Sequence, residues 1–115
     1  MCINLKILNQ TKSGMLLFCA KNEFFQLSFN NLMFNLTGTE IHALSAYLDH
    51  VDCDYWEHEY KNSVYEKRIP LPTLQSNLVI LLSKPEVREL QMLLDYSQQD
   101  KMLQYYEIEN LVFLN

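Results

Sequence analysis

The chain has little of what breaks regular structure. Its 115 residues include two glycines and three prolines. That composition excludes a linker-rich or low-complexity protein, and two glycines could hardly build a phosphate-cradling loop. Long apolar runs are also missing. No stretch approaches the roughly 20 consecutive apolar residues that a membrane-spanning helix needs. The first residues, Met1-Cys2-Ile3-Asn4-Leu5-Lys6, carry neither a basic lead nor an apolar block, so no secretory signal is read and the cytoplasm is the expected location. Three scattered cysteines, Cys2, Cys19 and Cys53, agree with that expectation, because an odd set is not a disulfide framework.

Positive charge is absent where negative charge is densest. Asp49, Asp52, Asp54, Glu57 and Glu59 fall between Asp49 and Tyr60, and no Lys or Arg lies among them. Outside that segment acids and bases are equal in number, so the whole formal charge of −5 sits there. A nucleic-acid backbone would be repelled, and no basic stripe elsewhere would attract it.

What the chain does have is apolar content, at 49%, enough for one core in one domain spanning residues 1–115. It also has an internal correspondence. Asn31-Leu32-Met33-Phe34-Asn35-Leu36-Thr37-Gly38-Thr39-Glu40 and Asn77-Leu78-Val79-Ile80-Leu81-Leu82-Ser83-Lys84-Pro85-Glu86 match at a constant offset of 46 residues. The offset continues through Leu44 and Leu90, Leu48 and Leu94, and Asp49 and Asp95. Each copy reads as a short strand followed by a capped helix, with repeat units of approximately 24–51 and 64–98.

Thr37-x-x-Glu40 and Ser83-x-x-Glu86 both have the form of a capping box. The hydroxyl accepts from a free N–H of the first turn, and the Glu returns to the capping residue's own N–H. Pro85 suits a first turn, where its missing N–H has no helical partner. Ile41, Leu44, Tyr47, Leu48 and Val51 keep helical spacing after the first cap. Val87, Leu90, Leu93 and Leu94, with Met92 at the edge, keep it after the second. The helices are expected over Gly38–His50 and from Lys84 to about Gln98.

Ile3, Leu5 and Ile7 alternate along a half-buried first strand, and Met15–Ala20 is apolar on both sides, as a central strand is. Phe25, Leu27 and Phe29 mark one face of a third strand. Asn30-Asn31 makes a two-residue turn, since Asn tolerates positive φ, and Leu32–Leu36 follows as a fourth strand. Within Val51–Asn62, Trp56, His58 and Tyr60 alternate with Tyr55, Glu57 and Glu59. That alternation favours a strand over a continuing helix. Val64–Leu71 reads as a strand confined to an edge by Pro70 and Pro72, and Asn77–Leu82 as its neighbour. Asp100–Tyr105 reads as a helical turn and Glu107–Leu114 as a closing strand. The expected fold is α+β: a single two-layer domain, mainly antiparallel sheet, with two helices on one face.

Phe25-Gln26-Leu27-Ser28-Phe29-Asn30-Asn31-Leu32, Asp54-Tyr55-Trp56-Glu57 and Ile69-Pro70-Leu71-Pro72-Thr73 resemble segments of a small uncharacterised family from Bacteroidota-type bacteria, a domain of unknown function. The resemblance spans most of the chain. It rests on packing and turn residues, and it implies no activity. Some members of that family carry a second cysteine soon after the one matching Cys19; here Cys19-Ala20-Lys21-Asn22 has none.

Three readings of function compete. Tyr55, Trp56, Tyr60 and Tyr65, interleaved with acids, suit a surface for a protein partner or a second copy, because Trp and Tyr carry much interface energy; the bland alternative is a Trp that caps the core under tyrosines lying over the sheet. Tyr105 and Tyr106 pose the same choice. His50, Cys53 and His58 are metal-ligand types, but their spacing matches no standard zinc module, and a solvated helix end explains them as well. An enzyme assembled from distant residues, such as a thiol enzyme at Cys19 or Cys53, would need a base close in space. With no catalytic motif, a non-enzymatic interaction module without a cofactor is the leading expectation.

Overall fold

The computed structural model describes residues 5–96. In chain order the elements are β1 (Leu5–Gln10), β2 (Gly14–Cys19), β3 (Phe24–Phe29), β4 (Leu32–Leu36), α1 (Gly38–His50), α2 (Cys53–Glu59), β5 (Ile69–Pro72), β6 (Val79–Leu82) and α3 (Lys84–Leu94). The fold is α+β. β1 to β4 form an antiparallel sheet in chain order, and β5 and β6 form a separate two-stranded sheet.

Tight turns make the first sheet a meander. Phe29 pairs with Leu32, so only Asn30 and Asn31 connect β3 to β4, and Asn30 adopts φ 53° as the turn requires. Leu27 is paired with Leu16 on one side and Phe34 on the other, and Phe25 with Phe18 and Leu36. Pairing residues share a face, so this apolar set forms one side of the sheet. A register shift between Ile7 and Asn9 turns Leu8 into the core, where the plain alternation of β1 points to Ile7.

The helices α1 and α3 cover that side and touch each other: α1 crosses β3 and β4, and α3 crosses β1 and β2. Close approach by α3 explains Gly14. A Cβ there would lie 2.7 Å from both Leu93 Cδ2 and the Ser28 carbonyl oxygen. Polar clasps hold α3 in place. Asn9 Nδ2 donates to the Met92 and Leu93 carbonyls of the last turn, and Met92 also accepts from the Asp95 N–H at 3.2 Å. Glu89 accepts from the Thr11 hydroxyl and the Ser13 N–H, each at 2.7 Å. Gln91 reaches the Leu48 carbonyl of α1 at 2.8 Å. The core between these layers centres on Leu16, Leu27, Phe29, Leu48, Ile69, Leu90 and Leu93, all almost fully buried.

Several boundaries differ from expectation. The segment Val51–Asn62 is not a strand; it holds a separate helix, α2. Asp52 caps it by accepting from the Tyr55 N–H at 3.0 Å. Trp56 and Tyr60, two steps apart in the alternation, are also one helical turn apart, and no neighbouring strand among the described residues offers the other arrangement a ladder. Val64–Leu71 is extended only from Ile69. Val64 is 92% exposed, so its apolar character marks no buried position. The expected single sheet is divided in two, with β5 paired to β6 through Ile69–Leu82 and Leu71–Ile80. Helix α3 spans Lys84–Leu94, and the expected end at Gln98 lies outside the described residues. The helical turn at Asp100–Tyr105, the strand at Glu107–Leu114 and the residues Tyr105 and Tyr106 lie outside the described residues.

The cysteine reading is also corrected: Cys19, wholly buried on β2, is disulfide-bonded. An odd count rules out pairing every thiol but not a single bridge. Cys53 is the free cysteine among the described residues. The cysteine argument for a reducing cytoplasm therefore falls away.

Candidate functional site

The aromatic residues singled out in the sequence meet on one ledge. Helix α2 sets Trp56 and Tyr60 four residues apart, and their rings stack with centroids 5.8 Å apart and an interplanar angle of 3°. Tyr55 meets Trp56 edge-on at 5.1 Å, and Tyr65 meets Tyr60 edge-on at 6.1 Å. Trp56 is half-buried and packs against the core. Tyr55, Tyr60 and Tyr65 are 52%, 37% and 49% exposed. The group thus has one anchored ring and three that face solvent.

Two residues that the sequence did not single out hold the ledge in shape. Ser63 Oγ donates to the Tyr60 carbonyl at 2.7 Å and accepts from the Tyr65 N–H at 3.2 Å. Arg68 donates through Nε to the Tyr65 carbonyl at 3.1 Å, and through its Nη atoms to Glu57 and the Lys61 carbonyl, each at 3.4 Å. One guanidinium therefore ties helix, turn and returning chain together, using its fork of donors. The signal was faint: Arg68 is simply the first arginine after a long acidic stretch.

Two further ion pairs lie beside the ledge. Lys84 meets Asp54 at 2.6 Å, and that hydrogen bond, with the charge behind it, holds the Asp54 carboxyl below the usual range. Lys67 meets Glu86 at 2.9 Å. Asp52, Glu59 and Glu66 enter no ion pair among the described residues, where Lys67–Glu86, Arg68–Glu57 and Lys84–Asp54 are the pairs formed.

The metal-ligand types are not gathered. His50 Nδ1 lies 2.8 Å from the Ala46 carbonyl of its own helix, so that nitrogen carries the proton and donates. No group of three His, Cys, Asp or Glu side chains among the described residues could hold an ion, His58 and Cys53 included. Burial pushes the Cys53 thiol up, against the pull of Lys84 and Arg88, which keeps it protonated and a poor nucleophile or ligand. Cys19, in its disulfide, offers no thiolate.

A second feature went unseen in the sequence. A groove of about 540 Å³ runs beside β4, the start of α1 and the β5–β6 connection. Phe34, Leu36, Leu44, Tyr47, Leu71 and Ile80 are among the residues that line it. Its described walls include no Cys, His or Ser. Tyr47 lines the groove, and its hydroxyl donates to the Pro70 carbonyl and ties α1 to β5. Only the packing of two separate sheets opens this groove, and no local pattern announces such packing.

No helix among the described residues is long and apolar enough to cross a membrane. No curated protein and no solved structure matches the chain. A family model matches residues 1–115, the whole length given. The chain therefore belongs to a family of unknown function, DUF6686.

Proposed function

We propose that this protein is a non-enzymatic interaction module of Bacteroidota-type bacteria, docking another protein or a second copy of itself through Tyr55, Trp56, Tyr60 and Tyr65. One observation carries the reading: three exposed tyrosines are arrayed on a core-anchored tryptophan and locked by Ser63 and Arg68. Holding the rings in place before contact lowers the ordering cost of association. Large rings with few rotatable bonds then supply contact area. A cytoplasmic location is part of the same proposal.

Light scattering of the full chain, paired with affinity capture by wild-type and Tyr55→Ala protein, tests the proposal. The expected result is a dimer mass, or a captured protein, that Tyr55→Ala removes while circular dichroism stays unchanged. A strict monomer whose captured set is the same with and without Tyr55 would sink the reading.

A further inference from the structure

Resting on that interaction reading, we infer that the ledge takes an extended basic segment of a partner protein, with Lys or Arg side chains laid over the exposed tyrosine rings and paired to the carboxylates beside them. The charge around the rings selects this partner. Asp52, Tyr55 and Glu59 lie three and four residues apart along α2, so a carboxylate stands about one helical turn to either side of the Tyr55 ring. Glu66 adjoins Tyr65, and of these three acids none is engaged by a described base. Lys61, exposed after Tyr60, is the single base between Asp49 and Glu66. The bases that reach in from elsewhere, Lys84 and Arg68, are spent on Asp54 and Glu57.

Ring faces attract cations through their quadrupole, and a carboxylate at the ring's edge adds an ion pair to the same ammonium or guanidinium. Arg satisfies both demands at once, because its plane stacks while its fork binds. An acidic segment would be repelled by Asp52, Glu59 and Glu66. A proline-rich segment could lie on the rings but would leave those carboxylates without a cation to pair with.

Trp56, the single tryptophan of the chain, reports events on the ledge through its fluorescence. The full chain is titrated with three synthetic peptides of equal length: alternating Arg and Ala, alternating Glu and Ala, and oligoproline. The arginine peptide should bind, more weakly as salt rises, since exposed charges are screened. Tyr55→Ala should weaken it about tenfold, between the exposed and desolvated limits of a cation–ring contact, and Glu59→Lys, which sets like charge against the peptide, should weaken it by at least as much, with circular dichroism unchanged. Binding of the glutamate peptide as tightly as the arginine peptide would overturn the inference. So would arginine binding that ignores both substitutions. If oligoproline alone binds and Tyr55→Ala abolishes it, the basic partner is wrong while the docking ledge stands. The basic partner is equally wrong, and the ledge equally upheld, if Tyr55→Ala dissolves a homodimer that no peptide displaces. If no peptide binds, the basic partner is again rejected, and mass measurement and capture decide the ledge.

Discussion

The junctions β4–α1 and β6–α3 begin from nearly the same chemistry and end in different surroundings. Thr37 and Ser83 hold almost equal backbone angles, with φ −74° and −86° and ψ 170° and 164°. The Glu40 and Glu86 carboxylates each accept from the capping residue's N–H at 2.8 Å. The hydroxyls accept from the Glu N–H groups at 3.2 and 3.3 Å. Beyond the caps the likeness fades. Helix α3 buries Val87, Leu90, Leu93 and Leu94, whereas α1 buries Ile41 and Leu48. Leu36 and Leu82 are both buried, but Leu44 is half-buried beside the groove while Leu90 is enclosed. β4 edges a four-stranded sheet, and β6 belongs to a two-stranded one. A capping box is a local device, closed within four residues. Burial is decided by whatever the rest of the chain brings. A repeat of the whole unit, 24–51 against 64–98, is a larger proposition than two equal caps.

The largest expected effect separates the two helices at their matched leucines. Leu90→Ala should cost about 2–5 kcal/mol, because it leaves a cavity in a packed core. Leu44→Ala should cost about 1–2 kcal/mol, since its side chain is only half removed from water and the groove wall can relax. Urea denaturation of both variants measures the difference. Equal costs would mean that the two positions are as alike in packing as they are in sequence.

Truncating the caps is the next comparison. A lost N-cap costs about 0.5–2 kcal/mol. Ser83→Ala belongs near the top of that range and Thr37→Ala near the bottom. The second cap is partly buried, and Glu86 on its far side also accepts from Asn30 and Lys67. The first is exposed to water, which can replace the lost hydroxyl. Thermal melts of the two variants suffice. The reverse order would place the weight of the fold on α1.

What the sequence made legible was what short range decides. Both caps, the Asn30 turn and the period of α1 are fixed by residues within a turn or two of one another. The errors fall where distant partners decide. Nothing near Tyr55–Tyr60 separates a strand from a helix until the Asp52 cap is known, and with it the lack of a neighbouring strand among the described residues. Val64 is apolar yet open to solvent, so the strand drawn through it was a pattern without a core. The aromatic residues of the ledge were found by type, but Ser63 and Arg68 were not, because their partners are mostly backbone carbonyls and N–H groups that no residue-type pattern marks. The groove needed the relative placement of two sheets.

The smallest effect is a dependence on pH carried by Glu86. Burial raises the pKa of this carboxyl. Hydrogen bonds from the Ser83 backbone and hydroxyl, and the Lys67 ammonium, lower it by more, so the folded value lies below the ordinary 4.5. A group whose pKa is depressed by folding adds stability that is fully present above its unfolded pKa. That stability is lost as pH falls through the folded value. Glu86→Gln removes the charge but keeps much of the shape. The variant should therefore be less stable than wild type near neutrality, and the gap should narrow as pH drops from about 5 toward 3. Glu89 and Asp54 also titrate low, through Thr11 and Ser13 and through Lys84. Both chains lose those contributions alike, so the difference between variant and wild type isolates Glu86. Urea midpoints at closely spaced pH values supply the measurement. A gap that stays constant across that window would show that folding does not depress the Glu86 pKa, so that the ionised form of this carboxylate adds no net stability over a neutral side chain of the same shape.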